Sequence, residues 1–114
     1  MRILCILALL CICVPASGSD ALPKDVSSFL KLRESCDHWR GEYGYDEERQ
    51  ADINWSVCQS CPRTDAKLAK LKHKYRGNEK VLEKLNELEA EIEPKDKSEA
   101  RRLCKKTRKP EWYK

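Results

Sequence analysis

The cysteines constrain this chain more than any other feature. Seven are present. Cys5, Cys11 and Cys13 fall in the first segment, where Arg2 is followed by an apolar run from Ile3 to Val14 and then by Pro15-Ala16-Ser17-Gly18. A basic start, a dozen or so apolar residues and small residues at the exit form the pattern of a secretory signal peptide. The run is shorter than the roughly 20 apolar residues a bilayer span needs. Residues 1–18 are therefore expected to be removed, with cleavage after Gly18. Cys36, Cys58, Cys61 and Cys104 then remain, an even four in a small exported chain. That count reads as two disulfides formed in an oxidising compartment, in any of three pairings.

The rest divides into one domain, residues 19–109, and a tail, residues 110–114. A chain this short sits near the size at which an apolar core alone is only marginally stabilising. Two bridges would offset that by roughly 2–4 kcal/mol each. No second apolar segment follows the first, so a soluble product is expected.

Periodicity points to helices, and β-branched runs are scarce. Pro23 suits a helix start, and Val26, Phe29, Leu30, Arg33 and Cys36 recur at helical spacing. In that first helix, Pro23 to Cys36, the aliphatic stem of Arg33 lies at the edge of the apolar face. A second helix begins at the N-cap Asp46, with Glu47 and Glu48 in its first turn, and stops before Pro62. A third begins at Thr64, read as another N-cap, and carries Leu68, Leu71 and Tyr75 to a stop at Gly77. Asn78 caps a fourth, whose stripe Val81, Leu85, Leu88 and Ile92 continues to Pro94. The third and fourth form a helical hairpin. A fifth starts at Ser98, with Ala100, Leu103, Cys104 and Thr107 on one face. The expected fold is all-α, a small bundle of four to five short helices stapled by two disulfides.

Several constellations invite chemistry, and each has a plainer structural explanation. Cys58-Gln59-Ser60-Cys61 is a C-x-x-C, but it falls at a helix C-terminus, where the dipole disfavours a thiolate. A zinc set of Cys36, His38, Cys58 and Cys61 has suitable ligand types, yet exported thiols oxidise, and Cys104 would be left over. His38 lies near Asp37 and Glu42 without a nucleophile motif, so it is read as hydrogen-bonded or exposed. His73, between Lys72 and Lys74, is read as solvated. Asp46, Glu47, Glu48 and Asp52 do not match a calcium loop. No catalytic residue, metal or cofactor is assigned. Asn54-Trp55-Ser56 is a formal glycosylation acceptor, placed inside a predicted helix.

Charge is distributed in blocks. Removing Arg2 lowers the formal net charge from +4 to +3. Residues 34–52 and 79–99 are acidic, while 63–76 and 101–114 are basic. Arg101, Arg102, Lys105, Lys106, Arg108 and Lys109 crowd one short segment. They form either a solvated face opposite the acidic fourth helix or a patch for polyanions or anionic membrane. Dibasic pairs there are also candidate processing sites. Trp112 and Tyr113 beside the bases add a membrane-interface element.

Between the first two helices, "CDHWRGEYGYDEER", residues 36–49, reads as an interhelix corner. Trp39, Tyr43 and Tyr45 are expected to cover the ends of the core with their polar tips in water. "CDHWRGEYGYDEERQADI", followed by "CPRTDAKLAKLKHKY", resembles a group of short exported bacterial proteins of undefined activity. Their pattern is a Cys-x-His-aromatic-x-Gly-Glu corner, then Tyr-Asp-x-x-Arg, then Cys-Pro and a Leu-rich helix. It spans residues 36–75. The resemblance implies that Cys36 pairs with Cys61, which leaves Cys58 and Cys104 as a second bridge. It implies no activity.

The expectation is a secreted, non-enzymatic, monomeric helical protein that binds an extracellular protein partner, in the class of inhibitors, signalling factors and venom or defence components. The alternative is a cationic effector acting on membranes or polyanions through its basic C-terminal segment. No nucleic-acid partner is expected.

Overall fold

The computed structural model describes residues 21–113. The expected signal segment, residues 1–18, lies outside the described residues. Five helices follow in order: α1 (Lys24–Arg40), α2 (Glu47–Ser60), α3 (Thr64–Lys74), α4 (Glu79–Asn86) and α5 (Ser98–Lys106). No strand occurs among the described residues. The chain is all-α and is stapled by two disulfides, Cys36–Cys61 and Cys58–Cys104.

Three helix starts and stops follow local chemistry. The Asp46 carboxylate accepts the amide of Arg49 at 2.7 Å and caps α2. Asn78 accepts the amide of Val81 at 3.2 Å and caps α4. Pro62 follows the end of α2. Each cap satisfies an amide that the helix itself leaves without a partner. Thr64 behaves differently from expectation. It is the first residue of α3 and is buried, while the cap position falls to Arg63 in a left-handed conformation (φ 65°).

The apolar core is small. Val26 and Phe29 of α1, Leu68 of α3, and Val81 and Leu85 of α4 form one cluster, with Leu22, Leu30, Leu71, Tyr75 and Leu88 packed against it. The core therefore sits where the first half of α1 meets the α3–α4 hairpin. α2 packs mainly on α1 and presents Ile53 beside two small hydroxyls, Ser56 and Ser60. α5 rests on α2 and has no buried residue at all. Its expected inner face is open, with Leu103 44% exposed.

Three expectations about α1 and α4 need correcting. α1 runs on to Arg40 and α2 starts at Glu47, so only residues 41–46 of the supposed corner lie between helices. Arg33 is not at the edge of its face but 1% exposed in the interior. Its Nε donates to Asp37 Oδ1 (3.1 Å), and its two terminal nitrogens donate to Thr64 Oγ1 (3.5 Å) and the Glu89 carbonyl (2.9 Å). α4, conversely, stops at Asn86, and its apolar stripe does not continue to Pro94 as a helix. The backbone beyond it is used otherwise. The Glu89 carbonyl serves Arg33, and the amides of Ile92 and Glu93 donate to the two carboxylate oxygens of Asp65, each at 3.0 Å. The Ile92 and Glu93 amides, each with one proton given to Asp65, are not left for i to i−4 bonds in a continued helix.

The N-terminal end of α1 is tied to the end of α3 by an exposed cluster. Asp25 accepts from Lys74 Nζ at 2.6 Å and from the Tyr75 hydroxyl at 2.7 Å. The Lys74 contact, then the Tyr75 one, hold the Asp25 carboxyl below its ordinary value. Asp25 in turn raises both Lys74 and Tyr75. A depressed carboxyl contributes above the usual carboxylate range and loses its contribution on acidification. A raised ammonium or phenol contributes below its ordinary value and loses it in strong base. Thermal unfolding followed across pH should show Asp25→Asn less stable than wild type between about pH 5 and pH 9, the two curves converging at both extremes. A gap that persists in strong acid would assign Asp25 a role other than this cluster.

Candidate functional site

The C-x-x-C cysteines lie three apart at the end of α2 and reach different partners. Cys61 joins Cys36, which is fully buried in α1. Cys58 joins Cys104 in α5. This is the pairing that the resemblance implies. All four thiols are consumed, so neither a dithiol nor the zinc set is available. Among the described residues no group of three or more His, Cys, Asp or Glu is gathered so as to hold a metal ion.

The Cys58–Cys104 bridge is one of three anchors that shape the far end of the molecule. The second is the segment after α4, pinned to α3 by a reciprocal pair of acids. Asp65 accepts two amides of that segment, as above, and Glu93 Oε1 accepts the Asp65 amide at 2.9 Å. Glu93 thus supplies from a distance the helix cap that Arg63 cannot. The third is the C-terminal segment, which docks instead of trailing. Pro110 is buried, and Trp112 Nε1 donates to Asp52 Oδ1 of α2 at 2.6 Å.

Between these anchors the helices do not close on one another. A groove of about 780 Å³ lies between the end of α2, residues 92–97 and α5. Most of its wall is apolar, contributed by Val57, Pro62, Ile92, Pro94, Ala100 and the disulfide cysteines Cys61 and Cys104. Its charged lining is almost entirely basic: Arg40, Arg63, Lys97, Arg101 and Lys105, against the single acid Glu93. Two of these cations have internal partners. Arg40 donates to Asp37 (2.9 Å) and Glu89 (3.4 Å), and Asp37 first and Glu89 after it raise the Arg40 guanidinium above its ordinary value. Lys97 lies 3.6 Å from Glu93. Arg101 feels the Asp96 carboxylate, which is lowered chiefly by its hydrogen bond from Ser98. The left-handed backbone at Arg63 is uncommon for a residue other than Gly. It is a local cost located at the groove.

The six bases singled out in the sequence are thus divided. Arg101 and Lys105 line the groove, whereas Arg102, Lys106 and Lys109 are exposed outside it. Arg108 turns its guanidinium back to the carbonyls of Lys105 (2.8 Å) and Thr107 (3.3 Å), closing the end of α5. Arg40, Arg63 and Lys97 were not expected as members of a site. Lys97 was legible, since it caps α5 and precedes Arg101 and Lys105 at the same four-residue step. Arg40 and Arg63 carry no such signal, because only the tertiary crossing brings them here.

The remaining candidates are structural or exposed. His38 lies 3.5 Å from Glu42 and stacks edge-on to Trp39. His73 is exposed. Asn54 sits inside α2, its side-chain oxygen accepting from Gln50 at 2.8 Å, and Ser56 of the same tripeptide is buried. Tyr43 and Tyr45 cover nothing, being 79% and 74% exposed. The corner is held by polar contacts instead. Arg49 bonds Glu42 at 3.0 Å and lies 5.1 Å over the Trp39 ring. No family of proteins, curated protein or solved structure matches this chain.

Proposed function

We propose that this chain is a secreted, non-enzymatic helical module that binds an extracellular protein partner through the groove between α2 and α5. The observation that carries the reading is the groove itself. Its volume is in the range of pre-formed recognition sites, and its wall combines apolar area with placed charges. Two disulfides hold its sides. They accord with an oxidising, extracellular setting. No described helix is long and apolar enough to cross a membrane. Inhibitor, signalling factor and venom or defence component all fall within this class.

A second reading has its own observation. Arg102, Lys106 and Lys109 are exposed outside the groove and form no ion pair among the described residues. They suit a cationic effector on anionic membranes or polyanions. Filling the groove separates the two. Ala100→Trp should abolish retention of a defined protein from native extracellular fluid, and wild type should keep that protein at about 0.5 M salt, where exposed charges are screened. Arg102→Glu with Lys106→Glu should leave it unchanged. Retention only at low salt, of heparin or anionic vesicles, and lost in the latter pair, would make the effector reading the correct one.

A further inference from the structure

We propose that the occupant of the groove is an acidic amphipathic helix of the protein partner, an inference that rests on the groove reading above and names its ligand. Lys97, Arg101 and Lys105 all line the groove. Lys97 is the cap residue just before α5, and its carbonyl accepts the Arg101 amide at 3.0 Å, so with Arg101 and Lys105 it forms a row of steps about 6 Å each, about 12 Å long. A facing helix with acids at i, i+4 and i+8 repeats at the same interval. Its neighbouring face would meet the apolar wall formed by Val57, Ile92 and Pro94. A carboxylate already occupies one end of the row, since Glu93 lies 3.6 Å from Lys97. Arg101 and Lys105 carry the open part of the row, and a partner acid at the Lys97 end would share that ammonium with Glu93.

The spread of the cations selects this ligand over its rivals. A fatty acid or other single-headed amphiphile has one charge centre and would need the bases to converge. They are strung out along the helix instead. A glycosaminoglycan or duplex nucleic acid has charge to match the row but presents no aliphatic stripe to the wall. A helix laid in a groove matches apolar and acidic stripes together, and about three turns cover the row.

The test uses the secreted, disulfide-bonded protein and a fluorescent helix-stabilised peptide of about 14 residues. One peptide has Glu at i, i+4 and i+8 beside a Leu/Ile face. A second has Gln in place of Glu, and a third has Lys. Anisotropy should show the Glu peptide binding and the Gln peptide binding at least about tenfold more weakly. Arg101→Glu with Lys105→Glu should weaken the Glu peptide by at least about tenfold and restore binding to the Lys peptide. Arg102→Glu with Lys106→Glu, equal in charge but outside the groove, should change affinity by less than about twofold. Equal losses in the two double variants would overturn the inference in favour of diffuse attraction. Displacement of the peptide by oleate, with Glu and Gln peptides bound alike, would overturn it in favour of a lipid site. If Ala100→Trp abolishes retention of the natural partner while no peptide binds, the helix ligand falls and the groove reading stands. If Ala100→Trp leaves that retention intact, the groove reading itself falls.

Discussion

Replacing Arg33 by Ala should cost about 3–5 kcal/mol of folding stability, from the cavity left by a large buried side chain together with its lost hydrogen bonds. Arg33 is the largest of the fully buried side chains and sits where three elements meet. Its guanidinium reaches Asp37 one turn ahead in α1, Thr64 at the start of α3 and the Glu89 carbonyl beyond α4. Truncation leaves a void and removes three hydrogen bonds, and the buried Thr64 hydroxyl loses its donor. Arg33→Lys keeps the charge without the planar fork and should recover only part of the loss. Arg33→Met fills the volume without donors. Guanidinium titrations of the oxidised protein would rank wild type above Lys, then Met, then Ala. A Met variant as stable as wild type would show that volume alone matters at this position. Hydrogen exchange should also report faster opening of the Ile92 and Glu93 amides in Arg33→Ala, because the segment they belong to loses its Glu89 tether.

The same residue shows where local patterns stop being informative. Val26, Phe29, Arg33 and Cys36 are the buried face of α1. Their spacing is legible, but an arginine within it reads most simply as an edge residue whose stem alone is buried. Its true position depends on a carbonyl 56 residues away. Helix existence, the caps at Asp46 and Asn78 and the stop at Pro62 were all readable, because each depends on neighbours within a turn. The end of α4 was not. Val81, Leu85, Leu88 and Ile92 keep helical spacing to the last, yet Asp65 and Arg33 capture the backbone of the second half. The docking of Trp112 on Asp52 spans 60 residues and leaves no local trace. Tyr43 and Tyr45 mislead in the opposite direction. Their size favours burial, but the core lies at the far half of α1 and offers that loop no apolar surface. The groove was half legible, through the four-residue steps of α5, and its apolar wall appears only when 92–97 leaves the helix.

Replacing Cys58 and Cys104 together by Ser should release α5 while the rest of the fold persists. The chain-entropy estimate assigns the two bridges similar weights, about 4 kcal/mol for the 46-residue separation and about 3.5 kcal/mol for the 25-residue one. Their consequences should nevertheless differ, because they hold different things. Cys36 is fully buried on the same face of α1 as Arg33 and Phe29, and its bridge secures α2 against α1. Opening it by Cys36→Ser with Cys61→Ser should lower the global unfolding midpoint by nearly the full estimate. α5 contributes no buried residue, so opening Cys58–Cys104 leaves the Trp112–Asp52 contact, the Pro110 packing and the exposed Lys97–Glu93 pair to hold it. Local opening of α5 then precedes global unfolding. Limited trypsinolysis should cut at Arg101, Arg102 and Lys105 at least about tenfold faster in the Cys58/Cys104 variant. Amides around Val26, Leu68 and Leu85 should keep their protection. The groove loses one wall in that variant, so binding through it should vanish although the core remains folded. Equal loss of core protection in both double variants would show instead that α5 is integral to the fold, and that the groove is a gap in the core between elements that unfold together.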